Sequence, residues 1–388
     1  MALPIQNRVY YPLLDTLRGP AAMLVFLGHW RNLFFADFVD LPNPGIALKI
    51  FYLFTGAGRE AVMIFFVISG CVIAHVIYTS FERGKWSWSG YLWARLTRLW
   101  VVLIPALVLT ACWDQFGMRF GQIAPSIYDG IGFANILHSA VEGNSGIGTF
   151  IGNVLFVQTI LVPTFGSNGP LWSIAYEFCY YLAYPAMICA VVPGRATWKL
   201  RAGLLFFAGA LLVFSGKSIA AAFLIWLAGA AAYWLFRVLP VKSVAINLVG
   251  FLAGLLAILA SVMASRMHLY SAMIGWDGII GLACAFTMYF ALAIRPSRVG
   301  AAVLKPLHGL SAVSYSVYLL HMPILVCAAS FFFRSDSKRW PPDLPHLSAA
   351  VVIGLLVFAY CLGVWYLTEH QTARIRGWFG ALRAARQF

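Results

Sequence analysis

Charge is scarce in this 388-residue chain. Only 10% of its residues are Asp, Glu, Lys or Arg, against about 25% in an ordinary soluble domain. A soluble fold of this length needs charged surface to stay dispersed, so the shortage excludes the usual kind of cytosolic enzyme. With 62% hydrophobic and 16% aromatic residues, the composition also excludes a disordered chain. Cysteines are present but unpatterned. Cys71, Cys112, Cys179, Cys189, Cys284, Cys327 and Cys361 all lie in apolar runs, with no CxxC and no Cys/His cluster. They read as small buried hydrophobes, so neither a disulfide framework nor a structural zinc site is expected. No period of 20–50 residues repeats, and there is no low-complexity run or long linker. No small-residue cleavage site follows the first apolar run, which Asp15 and Arg18 interrupt, so that run is expected to stay in the mature protein. What survives these exclusions is a polytopic membrane protein. Its net charge of +14 then points to basic cytoplasmic loops rather than to a nucleic-acid partner.

A membrane-crossing helix needs about 20 mostly apolar residues. Ten runs qualify: 13–35, 60–80, 91–113, 170–192, 201–216, 218–236, 244–264, 275–294, 310–333 and 347–368. The fifth and sixth meet in a tight turn at Gly216-Lys217. The stretch 149–163 is apolar but only 15 residues long. With the N-terminus cytoplasmic and 149–163 not crossing, 17 of the 27 Lys and Arg fall on the inner side and 9 on the outer, with Arg18 inside a span. If 149–163 crossed, every later loop would invert and the bias would vanish. The expected fold is therefore an all-α polytopic helical bundle of about ten transmembrane helices. It has both termini cytoplasmic, one re-entrant or interfacial segment near 149–163, a single domain over 1–388 and a basic tail over about 369–388.

Ionisable groups inside a bilayer are costly, by about 2.5–3.5 kcal/mol for a charge at a helix centre on insertion scales. Each one therefore needs a reason. In LLDTLRGPAAMLVFLGHW, Arg18 and His29 are 11 residues apart, which puts them on one helix face about 16.5 Å apart along the axis. A cation for a phosphate at one end and a base at the other suit a long, anionic, bipartite substrate. Plainer roles are a snorkelling anchor for Arg18 and a satisfied interhelical histidine for His29. Arg95 and Arg98, at i and i+3 in YLWARLTRLW, share a face near the cytoplasmic boundary. They serve either as a positive-inside pair or, with Arg18, as a phosphate pocket. Glu177, well inside its span, is expected to pair with a histidine or arginine, structurally or as the orienter of a catalytic base. His321 precedes Pro323, which frees a backbone carbonyl three or four residues back. Glu60 and His75 flank FFVISG and read as loop-edge residues.

These motifs together resemble the acyltransferase-3 family of integral membrane acyltransferases, which modify bacterial surface sugars and related acceptors. LDTLRGPAAMLVFLGH carries that family's Arg, ten residues, His pattern as Arg18 and His29. FFVISGCVI resembles its second-span motif, and RLTRLW its RxxR motif. PLWSIAYEFCYYLAYP is similar to WSLSVEEQFYLLWP, and SYSVYLLHMPI to SYSLYLLHWPV. Thr16 stands where the family usually has Gly, and Phe178 where it has a second Glu. No SGNH-type hydrolase domain follows the last span, so a standalone transferase in the bacterial inner membrane is expected.

The resemblance implies transfer of an acyl group, usually acetyl, from cytoplasmic acyl-CoA (acetyl-CoA or another) to a sugar or glycan hydroxyl, with no metal. It makes His29 the base or acyl carrier and Glu177 its partner. Arg18, Arg95 and Arg98 would bind the CoA phosphates. Ser69, Ser173, Tyr315 and His321 would stabilise the oxyanion or position the acceptor. General-base and acyl-enzyme routes remain open at this point. A transporter or flippase would explain buried charge and Gly-rich helices equally well, but the sequence has no internal repeat and no matched pair of broken helices. A non-catalytic sensor or scaffold of the same fold is a third reading, in which His29 is dispensable.

Overall fold

The computed structural model describes residues 12–121, 126–130, 136–137, 140–192, 197–266, 273–294, 298–334 and 337–385. Arg8, Arg195, Arg295 and Arg386, counted above towards the inner side, lie outside them. Each of the ten apolar runs is a helix. In chain order the helices are α1 (Pro12–Phe34), α2 (Ile46–Thr55), α3 (Gly58–Glu82), α4 (Trp88–Phe120), α5 (Ile147–Val154), α6 (Trp172–Val191), α7 (Trp198–Ser215), α8 (Lys217–Val238), α9 (Val244–Arg266), α10 (Met273–Ala291), α11 (Arg298–Ser330), α12 (Leu344–Leu367) and α13 (Thr372–Ala385). No strand is formed among the described residues.

Eight helical stretches among the described residues are long and apolar enough to cross a bilayer, two short of the ten expected. The shortfall has a local cause. The apolar part of α10 is limited to Gly275–Ala291, and α1 carries Asp15, Arg18 and Arg31 within 23 residues. The helices expose large apolar side chains in number, among them Phe206 at 78%, Leu256 at 67% and Leu355 at 64%. Such faces need lipid around them. The result is a helical membrane bundle.

The helices group into two compact units, with the division falling inside α1, α3, α8 and α11. The first comprises Met1–Ala21, Met63–Val76 and Ile225–Ala312. Its helices approach backbone to backbone. A methyl group on Gly70 of α3 would meet the carbonyl oxygen of Trp226 in α8, and one on Gly229 would meet that of Val67. Glycine in FFVISG therefore permits a close crossing of the kind favoured in lipid. Gly19 is similarly pressed, its absent Cβ lying 2.7 Å from Leu310 Cβ. Its N–H donates to Ser311 Oγ at 2.9 Å. His75 and Glu60 are not loop-edge residues. His75 lies within α3 and bonds the Tyr233 hydroxyl at 3.1 Å, and Glu60 is buried in the first turn of α3.

The larger unit comprises Ala22–Val62, Ile77–Leu224 and Val313–Phe388. Its core holds Leu33, Phe34, Leu99, Leu103 and Tyr180. Gly216, at φ 91°, is the single residue between α7 and α8, a conformation open to glycine. The stretch 149–163 does not cross. Helix α5 ends after eight residues, about 12 Å, well short of the roughly 30 Å hydrocarbon core. Beyond it the backbone turns through left-handed Phe156 and Thr159. The looped chain is then pinned by buried polar side chains. Trp100 Nε1 donates to Val154 O at 2.9 Å and Asn153 Nδ2 to Pro163 O at 3.0 Å. Asp114 Oδ2 accepts from the Ser167 N–H at 2.8 Å.

Candidate active site

Of the predicted site residues, His29, Arg95, Arg98, Ser173, Glu177, Tyr315 and His321 belong to the larger unit, and Arg18 and Ser69 to the other. Arg18 is half-buried on α1, and Ser69 half-buried on α3 next to the Gly70 crossing.

The central feature is a histidine pair. His29 Nδ1 lies 2.8 Å from His321 Nε2, and the rings stack with centroids 5.0 Å apart. Each ring is held from its own side. Trp30, the neighbour of His29, donates its indole N–H to Ala350 O at 2.7 Å, fixing α1 on α12. His321 is fully buried, in an edge-to-face contact with Phe26 whose ring centroid lies 5.9 Å from its own.

Hydrogen-bond roles follow from one contact. His321 Nδ1 lies 2.7 Å from the carbonyl oxygen of Val317, and a carbonyl only accepts, so Nδ1 carries the proton. In the neutral ring Nε2 is then a bare lone pair and accepts from His29 Nδ1–H. When His29 is neutral, its remaining nitrogen, Nε2, is the unprotonated one. A histidine held in this tautomer, with a donor bond from Nδ1 behind it, can act as a general base or nucleophile through Nε2.

Tyr318, one turn before His321, links this pair to α6. Its hydroxyl donates to Pro170 O at 3.1 Å and lies 2.7 Å from Ser173 Oγ. The Leu319 carbonyl would normally accept from residue 323 one turn on, but Pro323 has no N–H. Asn168 supplies the missing donor, its Nδ2 standing 2.8 Å from Leu319 O. Asn168 is fully buried and also donates to Thr110 Oγ1 at 3.1 Å.

A second cluster surrounds the arginines of α4. The Arg95 guanidinium lies 5.9 Å from the ring centroids of both Tyr91 and Tyr181. Among the described residues its Nε is buried with no hydrogen-bond partner. Arg98 lies in the field of Tyr181, Glu177, Glu369 and Tyr315. Glu177 accepts a hydrogen bond from the Tyr181 hydroxyl. Tyr315 donates to Leu99 O at 3.2 Å. Phe178, at the position of the family's second glutamate, stacks on Phe156 with centroids 4.3 Å apart, an apolar contact that a carboxylate would forfeit.

Asn168, Asp114 and Glu369 bear on this site without belonging to any of the five motifs. Pro323 signalled a freed carbonyl but not its partner. Asp114 was a charge within an apolar helix and so was detectable. Glu369 follows the last apolar run and looked like the start of a tail.

The family profile described as an acyltransferase domain matches residues 11–369. The chain belongs to the acyltransferase-3 family. It is similar to the peptidoglycan O-acetyltransferase OatA of Listeria monocytogenes serovar 1/2a, with 23% identity over 382 residues, covering 91% of this chain and 55% of that one. It is also similar to the acyltransferase MdmB of Streptomyces mycarofaciens, with 29% identity over 207 residues, covering 50% of this chain and 44% of that one. The chain spans about half the length of the curated relatives it matches. No solved structure matches. All five sequence motifs fall within the matched range, as does the histidine pair.

Proposed function

We propose that this acyltransferase-3 member is a membrane O-acyltransferase that moves an acyl group, most simply acetyl, from cytoplasmic acyl-CoA to a hydroxyl of a cell-surface or lipid-linked sugar. We read 1–388 as one such domain, for which the match over 11–369 is support, and place it in the bacterial inner membrane with both termini cytoplasmic on the strength of the charge distribution. The observation that carries the reaction is the His29–His321 pair, whose hydrogen bonds orient His29 so that its neutral form is unprotonated at Nε2. The O-acetyltransferase name of the Listeria relative supports the acetyl group and a cell-envelope acceptor.

In the reaction, His29 Nε2 takes the proton of the acceptor hydroxyl as its oxygen attacks the thioester carbon. Collapse of the tetrahedral intermediate breaks the C–S bond, and His29 returns the proton to the CoA thiolate. The positive charge on His29 is short-lived, and the Nδ1–H bond to His321 persists through it. Ser173 supplies a hydroxyl for the acceptor or the oxyanion, while the hydroxyl protons of Tyr318 and Tyr315 are held by Pro170 O and Leu99 O. Arg95 and Arg98 bind the donor's phosphates; Arg18, expected from the resemblance at those phosphates, and Ser69, expected at the oxyanion or the acceptor, belong to the other unit. Glu177 acts by setting the charge balance around Arg98.

Mass spectrometry of surface polysaccharide from cells with and without the chain tests the reading. A mass difference of one acyl unit is expected, and it disappears with His29→Ala. Loss of general-base catalysis alone costs about 10²–10⁴-fold. Wild-type acylation by a correctly inserted His29→Ala protein would overturn the assignment.

A further inference from the structure

The C-terminal segment makes two contacts that the reaction above does not use. Between α12 and α13 the chain turns through a single 3-10 turn, Glu369–Gln371. From that turn Glu369 Oε2 accepts from both Ser316 N–H at 3.1 Å and Ser316 Oγ–H at 2.7 Å. Ser316 is fully buried on α11, five residues before His321. Two turns further along, Arg376 of α13 reaches α4, its Nε donating to Thr97 Oγ1 at 3.2 Å and its Nη2 to Ala94 O at 3.2 Å. Ala94 and Thr97 flank Arg95 and Arg98. One short segment thus holds a carboxylate against the helix of His321 and a guanidinium against the helix of the arginine pair.

The charges make this arrangement consequential. Arg95, Arg98 and Arg376 gather three positive charges on one stretch of α4, and like charges in a poorly solvated place repel. Glu369 lies in the field of Arg98 and offsets part of that repulsion. A polyphosphate arriving at the same arginines would do the same, more strongly.

We infer that the C-terminal segment completes a polyphosphate-binding site on α4, with Arg376 joining Arg95 and Arg98 as a binding cation and Glu369 as an internal anion that the incoming phosphates must outcompete. This rests on the reading of α4 as the donor-binding helix and extends it to two residues outside every recognised motif. The two residues then act in opposite directions. Removing the Glu369 charge strengthens binding of a polyphosphate, and removing the Arg376 charge weakens it.

Equilibrium titration of the purified full chain with CoA, in lipid nanodiscs, separates the alternatives. Glu369→Gln keeps the acceptor oxygen for Ser316 and removes the charge; Arg376→Gln removes the cation, and Arg376→Lys keeps it without the fork. The expected result is CoA affinity about fivefold or more tighter for Glu369→Gln and about fivefold or more weaker for Arg376→Gln, the scale of one unit charge nearby in a partly wet site. Arg376→Lys falls between wild type and Arg376→Gln, and raised salt compresses all three differences. A clasp with a purely structural role predicts that both charge-removing variants weaken binding, which would overturn the inference. So would affinities within twofold of wild type for both. If the wild-type chain binds no CoA, the donor reading falls and this inference with it, an outcome distinct from wild-type binding that the variants leave unmoved.

Discussion

A neutral histidine has one donor nitrogen and one acceptor nitrogen, and an enzyme that uses it as a base has to control which is which. In this chain the control traces to the Val317 carbonyl, which fixes the proton on His321 Nδ1 and so turns His29 Nε2 into the bare nitrogen. His321→Ala removes the acceptor behind His29 and frees the ring to take either tautomer. His321→Gln presents an amide oxygen near the former Nε2 and restores part of the bond. The expected kcat order is therefore wild type, then Gln, then Ala. The Ala variant should be about 10²-fold or more below wild type, at the lower end of general-base effects, with KM for acyl-CoA unchanged. Steady-state kinetics on the purified protein check this. Equal kcat for Gln and Ala would mean that His321 does not set the tautomer. At this scale the sequence was legible where an ionisable group stood in an apolar setting, as at His29, Arg95 and His321. It was silent on partners, because the bond between His29 and His321 spans 292 positions and no local pattern encodes that separation.

Helix α11 shows how an element is tuned by what it lacks. Proline at 323 withdraws one N–H, and the Leu319 carbonyl, buried two residues before His321, would be left unpaired without Asn168. Asn168→Ala strands that carbonyl and is expected to cost about 1–3 kcal/mol of stability. Pro323→Ala restores a backbone donor one turn along, so the same Asn168 substitution should cost less in that background. A double-mutant cycle read by unfolding in detergent should give a coupling of about 1 kcal/mol or more; strict additivity would show that Asn168 acts elsewhere. Element positions were the most legible feature of the sequence, because about 20 apolar residues in a row admit few alternatives to a helix. What that rule does not reach is the irregular path of 155–171. There the fold depends on buried amides and on left-handed Phe156 and Thr159, residue types that carry no turn signal.

For the whole molecule, the question is which side each loop faces. Two sets of contacts bear on it within the larger unit. Arg376 of the tail helix bonds the first turns of α4, which keeps the tail on the same side as residues 83–87. Arg339 donates to Asn32 O at 2.6 Å and pairs with Asp37 at 2.6 Å, which keeps the loop before α12 on the same side as the end of α1. Helix α12, with 24 residues, separates the two sides. In the proposed orientation, with 17 basic residues on the inner side against 9 on the outer, the tail side is the cytoplasmic one. A reporter that fluoresces only in the cytoplasm should therefore light up when inserted at 239–243 or fused to the tail, and stay dark at 337–343. Charge bias alone makes the same forecast for the tail, but the contacts add a condition that bias does not. The tail and 83–87 must agree with each other even if the absolute orientation is reversed. A reporter pair at those two positions giving opposite signals would break the Arg376 contact as a feature of the membrane-embedded state, whereas a joint reversal would overturn only the charge argument.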